Sequence, residues 1–579
     1  MTPVQYSGAA ARSSGLPRLK ASLPAVSFVV VLLLVAEFLR FYVPSYVAVA
    51  ESVPVIFALM VAGTLIAMLR NEIGISTFGV FGPVIFAYAW LALGPFYGAA
   101  VVLYVFAVAT VTRFALEPLD MGTPHRVATL LTTVGFGVLA LAAIGQLPFA
   151  SMFGAALLFP IILSAWYGDR FVNEVRDSGW LPASRRLGWT LVAVTAAYLV
   201  ISFEPFMAWF RVTPEAWVAL VALNVLLGAV ANVRVAERFR FGTLRRSLAG
   251  GDRSVAEILG MRARNRDFIG KYNPASLMAA FDKVRVKQSM HSLDIATPDT
   301  YAVLTDDRDL SAVHTLLADH ERVVFKPGSS HGGEGVLVVG DRVDDRFKTS
   351  RGELTAEDIV RHVRGIIRGR YSGEYGDRDT VIVEEFVEPD GMLADIAGSG
   401  VPDLRVVVFQ GYPVMAMARL PTDESKGTAN LHGGGIGVGI DIETGRANGA
   451  YQQTTNRWLT THPDTGASLE AIAIPDWEAV LELAARAAAA TGLGYVGVDI
   501  VFDARKGPVV LEVNRRPGLG IQNVNMAGLL KRLRFVEHER PSIMLPASEK
   551  VAQAIEWAHL DWTEPQSAVA TPAEVAHEA

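Results

Sequence analysis

Glu512 and Asn514, in the run VVLEVNRRPGLG at 509–520, put a carboxylate and an amide oxygen two residues apart at what reads as a strand end. Alternate side chains share one face of a strand, so both groups point the same way. Two hard oxygens so placed suit Mg²⁺, which takes a few protein ligands and leaves the rest of its shell to water and nucleotide phosphates. Asp499, in GYVGVDIVFD, supplies a second carboxylate, and the intervening ARKGP reads as a hairpin turn that sets the two strands side by side. Asp499, Glu512 and Asn514 are therefore expected to converge on one divalent cation.

A cation so held implies a phosphate-bearing partner, and RVVFKPGSSHGGEGVLVV at 322–339 has the composition to cradle one. It reads as a strand, a lysine, a loop with four glycines and a second strand. Glycine lets backbone N–H groups approach phosphate oxygens, and Lys326 adds a point charge. No Gly-Lys-Ser/Thr opens a helix here, so it is not a Walker loop. Downstream, TVIVEEFVEPD at 380–390 reads as a buried strand leading through Glu384 and Glu385 into Phe386 and Val387, an extended segment whose main chain could bond an adenine edge. The histidines His331 and His432 read either as acid–base groups or as loop residues that form hydrogen bonds.

The elements that must position these groups fall into two unlike halves. In a chain of 579 residues, 51% hydrophobic content with 19% charged is too apolar for one soluble body and too charged for one wholly in a bilayer. Net charge is −6 with no concentrated basic face, which argues against nucleic acid; the absence of cysteine removes disulfides, thiolate nucleophiles and zinc–thiolate sites. Eight apolar segments of about membrane-spanning length follow one another: 24–41, 52–69, 73–93, 96–112, 127–149, 151–167, 187–203 and 216–233. Lys and Arg concentrate in alternate connections, including Arg70, Arg113, Arg126, Arg170, Arg185, Arg186 and Arg234, while the others carry Arg40 and Arg211. By the positive-inside rule the N-terminus and everything after about Arg234 face the cytoplasm. Arg18, Lys20 and the apolar run after them also fit a cleavable leader, whose removal would leave seven helices. Glu37 and Arg40 are expected to pair near the interface.

The expected organisation is an N-terminal tail (1–22), an all-α transmembrane bundle (23–237), a basic linker (238–255), an α+β domain (256–556) and a disordered tail (557–579) rich in Ala, Pro and Glu.

Over roughly 256–540 the order of these elements resembles the ATP-grasp superfamily, in its alpha-L-glutamate ligase-like and sugar-transfer-associated branches. The opening runs ILGMRARNRDFIGKYNP and FDKVRVKQSMHSLDIATPDTY are similar to the start of those branches, and the first half resembles membrane domains found beside such ligases. The resemblance implies that Lys283 and Lys326 contact the phosphates of ATP. It makes Gly328, Ser329, Ser330, Gly332, Gly333 and Gly335 part of a flap over them, and Glu384, Glu385, Phe386 and Val387 the adenine hinge. Asp403 falls at the ribose position, Arg405 beside the phosphoryl group, and Asp499, Glu512 and Asn514 at the Mg²⁺ (or Mn²⁺) ligands. Asn430 and His432 in TANLHGGG fit the glutamate-ligase pattern, but Thr428 stands where those ligases carry an arginine, a place Lys426 or Arg419 could fill.

The implied activity is a membrane-embedded, ADP-producing carboxylate–amine ligase working through an acylphosphate. Arg405 and Arg419 would supply positive charge at the phosphoryl group, and Arg515 and Arg516 would be candidates to clamp a substrate carboxylate. Its partners would be small-molecule or peptide acids and amines, the lipid bilayer and a membrane protein. The competing reading is a non-catalytic ATP sensor or scaffold coupled to the membrane half; a transporter gated by the soluble half is a third.

Overall fold

The computed structural model describes residues 30–35, 37–38, 53–116, 123–143, 166–172, 174–175, 180–230, 241, 244, 257–329, 335–369, 371, 379–425, 427–539 and 544–562. The expected span at 151–167 and the Glu37–Arg40 pairing lie mostly outside these, as do Ser330, His331, Gly332, Gly333, Lys426 and the tail beyond 562.

The first half is helical. Val53–Met68 continues through a π turn, Leu69–Ile73, and is followed by Phe81–Leu93, Pro95–Ala115, Thr123–Ala143, Trp180–Ile201, Glu204–Val212 and Pro214–Val230. Phe57, Phe86, Tyr167, Phe171, Phe210 and Trp217 pack between them as an aromatic core. Among the described residues, two helices are long and apolar enough to cross a bilayer, Pro54–Ile73 and Pro95–Ala115; Ala183–Ile201 and Glu204–Val212 pass together as a pair bent by 67°. The segment expected as one span at 73–93 is corrected: Gly74 takes a left-handed conformation that ends the preceding helix, and the next begins only at Phe81. Its 13 residues reach about 20 Å, short of a hydrocarbon core of about 30 Å.

The second half is an α+β structure of two antiparallel sheets. The smaller sheet has six strands in the order β1-β6-β2-β3-β4-β5: β1 Thr300–Leu304, β2 Val323–Pro327, β3 Leu337–Val343, β4 Arg346–Thr349, β5 Gly352–Thr355 and β6 Val381–Glu385. The larger has seven in the order β11-β10-β9-β8-β7-β12-β13: β7 Asp403–Phe409, β8 Tyr412–Leu420, β9 Ile436–Ile440, β10 Ala447–Gln452, β11 Arg457–Leu459, β12 Tyr495–Asp503 and β13 Gly507–Asn514. β7 and β8 are nearly continuous apolar runs because both faces of the sheet are covered. Leu404, Val406 and Val498 face the helix Trp477–Ala490, while Val407, Phe409 and Tyr495 face Phe268 and the helix Leu529–Glu539. Gln410 and Gly411 turn between β7 and β8 with φ of 55° and 85°, the double positive φ that a tight hairpin requires.

Two boundaries move. Phe241 and Leu244, placed in the linker, are buried in the core of the soluble half. The helix Ala547–His559 runs past the expected end at 556, and Trp562 packs against Phe535 and Trp557.

Candidate active site

β12 lies between β7 and β13, so its register sets the site. Asp499 is directly opposite Glu512 on one side and Arg405 on the other, and Asp403 is opposite Arg419. Because pairs across a sheet share a face, Glu512, Asp499 and Arg405 form a row, with Asp403 and Arg419 just beyond it. Asn514, two residues past Glu512, donates its amide to Asp499 Oδ2 and to Glu512 Oε1, each at 3.0 Å. The three expected ligands are thus brought together.

Their surroundings differ from the sequence expectation in one respect. Asp499 is 1% exposed, and both its oxygens are engaged: Arg405 grips it bidentately, and Arg419 Nη2 is 2.9 Å from Oδ2. Arg419 also grips Asp403 through both carboxylate oxygens. Two carboxylates and two guanidiniums therefore form one buried block, and Asp403 is used to hold Arg419, a role the ribose expectation did not include. Burial works against the Arg419 charge, but Asp403 and Asp499 more than offset it, so the proton is held more tightly than usual. Glu512 is more open, and Lys283 Nζ lies 3.6 Å from its Oε2. Burial opposes its ionisation as well, but Lys283, Arg405, the Asn514 amide and Arg419 outweigh it and hold Glu512 down at about 2.

This donor set fits a hard divalent cation through Glu512 and Asn514, the half-buried pair, with Asp499 behind them. Among the described residues no three His, Cys, Asp or Glu side chains form a metal-holding group, so an ion here would rely on an amide oxygen, water and phosphate.

Lys283 opens the helix Lys283–Ser292, whose Val286 and Met290 pack on the core of the larger sheet; the helix is capped by Asp282, whose side chain accepts from Val284 N at 2.9 Å. Lys326 on β2 lies 2.5 Å from Glu384 on β6. Of the glycine loop, Gly328 and Ser329 leave β2 tied to Thr380 O and Asp379, while Gly335 re-enters with φ of +77°. A Cβ on Gly335 would lie 2.6 Å from Pro327 and 2.7 Å from Tyr371, so this end of the loop tolerates only glycine.

The segment just after the expected hinge joins the two sheets. Glu388 N donates to Asp503, Ala504 N to Glu388 O and Asp390 N to Phe502 O, fastening the segment after β6 to the end of β12. Val387 packs with Val501 and Val509. Glu384 and Glu385 are buried; Glu385 is held by Arg505 and Lys506, each at 2.6 Å.

Sequence reasoning missed Lys287, Asp379 and the two cations of the ARKGP turn. Lys287 could have been found from its spacing of four after Lys283, which places both on one helix face. The Arg515–Arg516 pair divides: Arg515 donates to Met278 O and lies 5.5 Å over Phe281, while Arg516 is exposed. Asn430 caps the turn Leu431–Gly433, His432 meets Gln453 at 3.0 Å, and Thr428 donates to Ser425 O, so these hold the loop together.

Residues 263–538 match the family described as sugar-transfer associated ATP-grasp, and residues 35–245 match the family of seven transmembrane helices usually fused to an inactive transglutaminase. A probable alpha-L-glutamate ligase of Xanthomonas oryzae pv. oryzae is 27% identical over 288 residues, covering 48% of this chain and 72% of the relative. Among solved structures, the ATP-grasp ligase PsnB complexed with minimal precursor is 18% identical, covering 44% of this chain and 60% of that one, with a TM-score of 0.25. D-cycloserine synthetase DcsG is 17% identical, covering 48% and 70%, with a TM-score of 0.26.

Proposed function

From a chain that joins an ATP-grasp ligase domain to a membrane-type helical domain, we propose a membrane-embedded carboxylate–amine ligase using ATP and Mg²⁺. A carboxylate oxygen attacks the γ-phosphorus of ATP, the bond to the β-phosphate oxygen breaks, and ADP leaves an acylphosphate. An amine then attacks the acyl carbon, inorganic phosphate departs, and the amine proton passes to solvent. The observation that carries this reading is the row Glu512–Asp499–Arg405 with Asn514 and Arg419 on one sheet face, opposite Lys283.

In this reading Glu512 and Asn514, with Asp499 behind, would hold Mg²⁺, which would supply screening of the phosphate charge. Lys283 and Lys326 hold the phosphate tail and the main chain of 384–387 takes the adenine, while water that would hydrolyse the acylphosphate must be kept out. Arg405 and Arg419, fixed by Asp499 and Asp403, present charge to the phosphoryl oxygens without reorganising, which is how electrostatic catalysis gains most. Glutamate is the first acid to test, given the names of the curated relatives. The helical half would span the inner membrane with the N-terminus and the ligase domain on the cytoplasmic side.

Purified protein is expected to release ADP when given a suitable acid and amine, and Glu512→Ala to abolish release. Unaltered ADP release in that variant removes the metal assignment, and ATP binding without phosphoryl transfer to any acceptor favours the sensor reading. Because the chain has no cysteine, single cysteines introduced at exposed Met392 and Trp458 report topology cleanly. Both should react with an impermeant maleimide only after the inner membrane is opened; labelling of intact spheroplasts would reverse the orientation.

A further inference from the structure

Glu384 is one carboxylate shared by two lysines. Lys326 Nζ lies 2.5 Å from its Oε2 and Lys287 Nζ lies 2.5 Å from its Oε1. The two cations are not equivalent. Lys287 is anchored a second time, donating to Pro298 O at 2.9 Å, and its side chain is 10% exposed. The Lys326 side chain is 21% exposed, is paired with this carboxylate, and stands on β2 directly before the glycine loop. The Glu384 side chain, at 3% exposure, is the most enclosed of the three. Burial opposes its ionisation, and Lys326 and Lys287 together outweigh that.

If Lys326 serves the nucleotide, it must turn from Glu384 toward a phosphate. Removing the partner of a buried charge is among the costlier changes a protein can make. With Lys326 alone, each nucleotide binding event would strand a buried carboxylate, and that penalty would be subtracted from the affinity. Lys287 removes the penalty, because Glu384 keeps a second, sealed ammonium when the first departs.

We propose that Lys287 is a positioning residue, the resident counter-ion of Glu384 that releases Lys326 to the phosphates of the nucleotide. This rests on the reading of Lys326 as a phosphate-binding residue, and the variants keep the two claims apart. Binding of MgATP to the full-length protein in detergent, measured by calorimetry, is expected to weaken by about tenfold or more in Lys287→Met. Lys287→Arg, which keeps the charge, should stay near the parent. The decisive comparison is made in a Glu384→Gln background, where no carboxylate remains to be stranded. There Lys287→Met should change affinity by less than about threefold. In that double variant the cation left without its carboxylate is Lys326, which is partly exposed, so the variant also serves if Lys287→Met alone fails to fold. Loss of melting temperature in Lys287→Met with unchanged MgATP affinity overturns the proposal, as does a tenfold loss in the Glu384→Gln background. If instead Lys326→Met binds MgATP like the parent, the phosphate reading of Lys326 is what fails.

Discussion

Asp499 illustrates how a residue type and its use can separate. In the proposed reading its place opposite Glu512 makes it part of a cation site, yet both its oxygens are committed to Arg405 and Arg419, so what it organises is the two guanidiniums. The same separation divides the neighbouring arginines. Arg515 donates to Met278 O and covers the Phe281 ring, contacts whose removal in Arg515→Ala should cost about 1–2 kcal/mol of stability. Arg516 is exposed, so Arg516→Ala should move stability by no more than about 0.5 kcal/mol. Its effect should appear in the KM of the acid, if that acid is anionic near this strand end. Thermal melts and substrate titrations on the two variants check this; equal destabilisation by both would contradict the division.

At the scale of elements, the hairpin β12–β13 was legible as two apolar runs on either side of ARKGP, with Glu512 and Asn514 two apart on one face, but the irregularity between Asp499 and Ile500, which lets Val510 join Val498 and Val513 in the core on the other face, was not. The cradle strands were legible for the same reason. The loop at 74–80 was not, since a hydropathy window averages over Gly74 and Gly79 and cannot see a left-handed residue that ends a helix. Nor was the burial of Lys287, because a lysine on a short polar helix reads as solvated until a distant strand brings Glu384 to it. Helix docking shows a further such case. Glu537, on Leu529–Glu539, is bonded by Lys271, Tyr272 and Arg534. Burial would raise its pKa, but Lys271, Tyr272 and Arg534 together hold it below its ordinary value of 4.5. A carboxylate with a depressed folded pKa adds stability above its unfolded pKa and loses it as pH falls through the folded one. Denaturant melts from pH 7 to pH 3 should therefore show an acid-side decline that is shallower in Glu537→Gln; identical slopes would assign the decline to other carboxylates.

For the whole molecule, the question is whether the membrane half is a passive anchor. Arg262 crosses the divide: its Nη2 lies 3.6 Å from Glu72 in the π turn, and its Nη1 donates to Leu227 O near the end of Pro214–Val230. The carbonyl end of a helix carries partial negative charge, so this guanidinium meets two favourable partners. Two residues on, Arg264 donates to Pro517 O at 2.7 Å, and Pro517 follows Asn514 by three positions. A displacement of the helices around Glu72 thus has a short covalent and hydrogen-bonded route to the strand end that carries Glu512 and Asn514. The partly exposed ion pair is itself worth no more than about 1 kcal/mol, so an effect on turnover larger than on stability would mark coupling between the halves. Arg262→Glu should slow ADP release, and Glu72→Arg should restore it by remaking the pair with the charges exchanged. The reversed pair must act in full-length protein in lipid nanodiscs, where the helices keep their lateral pressure. If Arg262→Glu releases ADP at the parental rate there, or if the exchange restores nothing, the membrane half is an anchor and the contact at Glu72 is packing alone.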